Sequence, residues 1–237
     1  MKKLRHLGLY TLFVLLSTYV LESGAVHIAK FLGWGVDGYS TILVAEVLAI
    51  FLLFVWWLKK KEMLFIFNKK GWHWSIILCL VVCYFARQIM NDFQMRYNDL
   101  IDYKYIFQNT LSVLYSNGRP TFIHTFLFFI LSVIIGPIWE ETIHRGYFMN
   151  TFFPKSKYYL DVILSAFIFS LSHLVLYHRD PISLMMYSFS GLFFALVYRW
   201  TKNLNLTILC HSFFNFLIYV KPIWIFVYNY IYYHFFR

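Results

Sequence analysis

The sequence predicts an all-α fold, a polytopic membrane helix bundle of about eight transmembrane helices. Composition is the first reason. Of 237 residues, 60% are hydrophobic and 14% charged, against about 45–50% and about 25% in a soluble domain. The second reason is arrangement. The apolar residues fall into separate runs of about 17–25 residues, the length that crosses a hydrocarbon core. The mean hydropathy of +0.60 agrees.

The first run, 7–31, follows Met1-Lys2-Lys3-Leu4-Arg5. A signal peptide shares such a basic start, and Ser23-Gly24-Ala25 would serve as small residues near a cleavage point. With many spans behind it, an uncleaved first helix is expected. Runs 39–58 and 74–91 follow. The fourth, 121–139, should continue as helix to about residue 152, with a kink or restart where Pro137 lacks an amide hydrogen. Runs 159–177, 182–200, 203–220 and 222–236 complete the set. The last is short and rich in Tyr and Phe. Residues 92–120, with Asp92, Asp99, Asp102 and the turn signal Asn117-Gly118-Arg119-Pro120, read as an external loop. The chain thus divides into an N-terminal transmembrane region with that loop (1–120), a core (121–220) and a C-terminal helix (221–237).

The net charge of +10 does not point to nucleic acid, because Lys and Arg cluster in short segments between apolar runs. Lys2, Lys3, Arg5, Lys59, Lys60, Lys61, Lys69, Lys70, Lys155, Lys157, Arg199, Lys202 and Arg237 fall on one side. They outnumber Lys30, Arg87, Arg96, Lys104, Arg119, Arg179 and Lys221 by roughly two to one, which places both termini in the cytoplasm. Low Gly with abundant Phe, Tyr, Lys and Asn hints at a bacterial source. Cys79, Cys83 and Cys210 form no disulfide framework. Cys210 beside His211 reads as a packing residue rather than a nucleophile.

Polar residues inside apolar runs carry the functional signal, since ionisable groups in a membrane are costly. Glu140 and Glu141 are adjacent. Glu141 and Arg145 are four apart and share a helix face, so they can pair. Glu140 points about 100° away and is left to act as a general base towards water. His173 lies inside the fifth run. His211 and Asn215, four apart in the seventh, can both donate to an oxyanion. His144 is one turn from Glu140, and the favoured reading leaves it facing the cytoplasm without a role.

Taken together, Glu140-Glu141-x-x-x-Arg145, Phe169-x-x-x-His173 and His211-x-x-x-Asn215 resemble the three motifs of the CAAX protease and bacteriocin-processing family. This family is also called the Abi family of intramembrane endopeptidases. The resemblance covers about residues 121–220, and Gly146, Gly191 and Asn203-Leu204 add to it. It implies that Glu140 and His173 activate a water for attack on a peptide bond, that His211 and Asn215 hold the oxyanion, and that Glu141 and Arg145 support them. It also implies no metal or other cofactor, a membrane-associated peptide or protein substrate, and a place in the cell membrane with the lipid bilayer as partner. His144 departs from the family pattern, which is apolar or aromatic there.

Other chemistries fit less well. Glu140, His144, His173 and His211 are zinc-ligand types, yet no His is followed directly by Glu, so the His-Glu-x-x-His motif is absent from the sequence. Ser188-Phe189-Ser190-Gly191 lacks the leading Gly of a serine nucleophile turn. Asp161 has no obvious partner for aspartyl chemistry. Glu46, the deepest of the other acids, leaves proton-coupled transport as a non-enzyme class, against which stands the lack of matching halves. A non-catalytic self-immunity or scaffold protein of the same fold is the remaining alternative.

Overall fold

In hydrocarbon a backbone must satisfy its own hydrogen bonds, so apolar runs become helices. The computed structural model describes residues 2–16, 21–67, 75–97, 121–154, 156–176 and 181–235. Its helices are α1 (Lys2–Leu15), α2 (Leu21–Leu32), α3 (Gly35–Lys60), α4 (Ser75–Tyr97), α5 (Phe122–Phe152), α6 (Leu160–Leu176), α7 (Pro181–Thr201) and α8 (Leu204–Phe235). A short 3₁₀ turn, Leu64–Phe67, follows α3. The chain is a helical membrane bundle. Gly35–Lys60, Ile76–Phe93 and Phe122–Phe152 are long and apolar enough to cross a membrane, and Leu4–Leu15, Leu160–His173 and Leu204–Val220 are shorter apolar stretches.

The runs at 39–58, 159–177 and 182–200 appear as α3, α6 and α7 with small shifts at their ends. The described parts of the first run are helical, α1 and α2, and residues 17–20 between them lie outside the described residues. One boundary differs. Runs 203–220 and 222–236 are one helix, α8, of 32 residues, about 48 Å long at 1.5 Å per residue. The sequence reading places a span boundary at Lys221. In a membrane helix a proline is tolerated because neighbouring groups satisfy the carbonyl it frees. The turn that would place Lys221 outside and Arg237 inside is therefore missing. Most of the expected external loop, including Asp99, Asp102 and Asn117-Gly118-Arg119-Pro120, lies outside the described residues.

The helices pack as α2 on α3, α6 on α7, and α8 against α4, α5 and α7. Gly33 (φ 67°) and Gly35 (φ 64°) take left-handed conformations that a side chain would strain, and so make the tight α2–α3 turn. One apolar core joins Tyr10, Phe54, Leu58, Trp139, Ile143, Tyr147 and Leu204, and a second joins Cys83, Phe194, Cys210 and Phe214. Cys83 Sγ donates to the Cys210 carbonyl at 3.2 Å, and all three cysteines are free thiols. Asn203 caps α8, its Oδ1 accepting from Leu206 N at 3.1 Å.

Asp161 is paired with Arg199, which joins the start of α6 to the end of α7. Arg199 Nη2 also donates to the Ser156 carbonyl at 2.8 Å. Asp161 is 2% exposed, so Arg199→Ala strands a buried charge. The expected cost is about 3 kcal/mol, read as a lower unfolding midpoint of the purified protein in detergent. An unchanged midpoint would remove this role.

Candidate active site

The site is built on an irregular helix. Residues 131–135 and 142–149 of α5 are π-helical, flanking the α-helical Gly136–Glu141. Pro137 accounts for the first π segment. It cannot donate, and its ring crowds the carbonyl four residues back. Gly136 N–H reaches five residues back, to the Leu131 carbonyl. In that register the donor for the Ser132 carbonyl would be residue 137, which has no N–H. The orphaned Ser132 carbonyl instead accepts from Asn215 Nδ2 of α8 at 2.8 Å. Segments of this kind are frequent at functional sites.

Glu141 and Arg145 form the expected pair. Arg145 Nε lies 3.2 Å from Glu141 Oε2, and both side chains are fully buried. Arg145 Nη2 donates to the Gly191 carbonyl of α7 at 2.8 Å, and its guanidinium lies 4.6 Å from the centre of the Phe169 ring. Close approach is required at Gly191, where a Cβ would meet Phe169 at 3.0 Å and the Ala166 backbone at 3.1 Å.

Glu140, His173 and His211 come together from α5, α6 and α8. Glu140 Oε2 lies 3.8 Å from Nε2 of His173 and 3.8 Å from Nε2 of His211. It is buried and has no hydrogen-bond partner. At 3.8 Å neither contact is a hydrogen bond, and the gap suits a bridging water. The imidazole tautomers follow from the other ring nitrogens. His173 Nδ1 is 2.8 Å from the Phe169 carbonyl, which only accepts, so Nδ1 carries the proton and Nε2 presents a lone pair to the gap. His211 Nδ1 donates to Glu141 Oε1 at 2.8 Å. The rings are held in plane by stacking, Tyr187 on His173 at 4.3 Å and Phe194 on His211 at 4.3 Å.

Asn215 follows one turn after His211 on α8, anchored to Ser132. His144 is the clearest correction. It is 3% exposed and does not face solvent. Its Nδ1 is 2.7 Å from the Tyr10 hydroxyl of α1, and its ring meets Phe169 edge-on. A neighbouring pair, His6 Nδ1 and the Tyr147 hydroxyl at 2.7 Å, seats α1 on the same helix. Sequence reasoning also missed the Glu141–His211 bond, because spacing within a helix says nothing of which helix it faces. Among the described residues, no group of three His, Cys, Asp or Glu side chains is arranged to hold a metal ion.

A carboxylate thus faces two imidazoles inside the helical bundle. Residues 122–217 match the family described as "Type II CAAX prenyl endopeptidase Rce1-like". A Bacillus subtilis (strain 168) protein named "Putative membrane peptidase YdiL" is 33% identical over 89 residues, 38% of this chain and 34% of that protein. An uncharacterized protein of Mycoplasma capricolum subsp. capricolum is 33% identical over 99 residues, 41% of this chain and 28% of that protein. The match therefore spans about a third of the length of these curated relatives. No solved structure matches the chain. The likeness to this family, which the three sequence motifs also resemble, lies in α5 to α8.

Proposed function

We propose that this protein is an intramembrane endopeptidase that hydrolyses a peptide bond of a membrane-associated polypeptide in a bacterial cell membrane. The observation that carries the reading is the unpartnered Glu140 Oε2 set 3.8 Å from two imidazole Nε2 atoms. A water between Glu140 and His173 is polarised by both. Glu140 takes its proton as the water oxygen bonds to the scissile carbonyl carbon. The oxyanion that forms is met by Asn215 and by His211, whose Nε2 donates when the ring is doubly protonated. Glu141 on Nδ1 stabilises that charge. The carbon–nitrogen bond then breaks, and the proton held by Glu140 passes to the leaving amine. The family match over residues 122–217 and the peptidase name of the Bacillus relative support the reading.

The test compares released peptides and membrane-protein termini by mass spectrometry in cells carrying wild type or Glu140→Gln at matched abundance. A peptide found only with wild type establishes proteolysis and names a substrate. Identical profiles, with a cellular phenotype sustained by both forms, would move the assignment to a self-immunity or scaffold protein. Chelation decides the zinc alternative. Release by the purified protein is expected to persist in 1,10-phenanthroline, and a loss restored by added zinc would make the site metal-dependent.

A further inference from the structure

We propose that Ser132 and Tyr219 are positioning residues for Asn215, acting on a carbonyl that Pro137 sets free. The inference rests on the hydrolytic reading of the site. Proton accounting fixes the contacts. The Ser132 hydroxyl donates to the Phe128 carbonyl at 2.7 Å, which uses its single proton. The Tyr219 hydroxyl, 2.7 Å away, must therefore donate to Ser132 Oγ. The Ser132 carbonyl accepts from Asn215 Nδ2 at 2.8 Å. Asn215 and Tyr219 are one turn apart on α8, so two successive turns grip the backbone and the side chain of one residue. The Tyr219 ring also sits edge-on to Phe129 at 5.1 Å.

This clamp adjoins the reacting carboxylate. Gly136, which closes the π segment onto Leu131, lies so near Glu140 that a Cβ there would stand 3.7 Å from Glu140 Oε1. An amide is planar, so tying one N–H of Asn215 to Ser132 fixes the direction of its other polar atoms. The clamp thereby ties Asn215 to the helix that carries Glu140 at the cost of one irregular helical turn, and without it the Asn215 side chain has rotamer freedom where the oxyanion forms.

The test uses the full chain purified in detergent and a quenched fluorogenic peptide containing the bond that wild type cuts and Glu140→Gln does not. Ser132→Ala and Tyr219→Phe each remove one hydroxyl and little volume. Each is expected to lower kcat about tenfold, within the range that small misplacements cost, with KM within about twofold of wild type. The double variant should be no worse than either single, because both break the same bond. A general structural role would instead lower the yield of folded protein and leave kcat per folded molecule intact. Wild-type kcat in both single variants, or losses that multiply in the double, would overturn the clamp while leaving the hydrolytic reading standing. Absence of any bond cut by wild type would remove both.

Discussion

Glu140→Gln lowers peptide release by about 10²–10⁴-fold, the usual worth of a positioned general base, while the protein accumulates as wild type does. Both halves of this expectation come from the same geometry. Glu140 Oε2 makes no hydrogen bond within the protein, so a nearly isosteric amide breaks none. The amide also removes one of two adjacent carboxylates, which relieves charge repulsion rather than adding to it. What it cannot do is accept a proton from water. His173→Ala should fall comparably in rate, but with some loss of stability, because it also abandons the Tyr187 stack and the bond to the Phe169 carbonyl. Rates of release by purified variants decide the matter. Full activity in Glu140→Gln would sink the mechanism.

Much of this site can be read along one helix at a time. The Glu141–Arg145 pair follows from spacing alone, and so does the continuation of α5 beyond Pro137, since neither needs knowledge of a neighbour. Joining Glu140, His173 and His211 across three helices needed the family resemblance, because periodicity predicts faces and not partners. That limit explains the misreading of His144. Its face was legible, but Tyr10, 134 positions earlier, could not be chosen as the group that meets it. Pro137 shows a different limit. A missing N–H predicts a disturbance, yet whether the chain kinks, restarts or widens depends on what can take the freed carbonyl, and here Asn215 does. Pro222 leaves α8 continuous, so the two apolar runs 203–220 and 222–236 are one long helix.

Arg145→Ala is expected to reduce folded protein sharply, by about 3–5 kcal/mol of stability, the usual result of removing one partner from a buried ion pair. Arg145 is among the largest fully buried side chains. It faces Glu141 on its own helix, Gly191 on α7 and the Phe169 ring on α6, so its loss both opens a hole among three helices and leaves Glu141 with only His211. Arg145→Lys should recover little, because an ammonium lacks the planar fork that serves the carboxylate and the Gly191 carbonyl together. Charge and packing can be separated by a second change. If the stranded carboxylate dominates, Glu141→Gln added to Arg145→Ala regains part of the unfolding midpoint. It should not regain peptide release, since His211 Nδ1 then faces an uncharged amide and the doubly protonated ring loses its support. Membrane abundance and unfolding in detergent supply the first readout, and cleavage rate per folded molecule the second. Normal abundance of Arg145→Ala would remove the structural role. A double variant no more stable than the single would place the loss in packing and the Gly191 bond rather than in the unpaired charge.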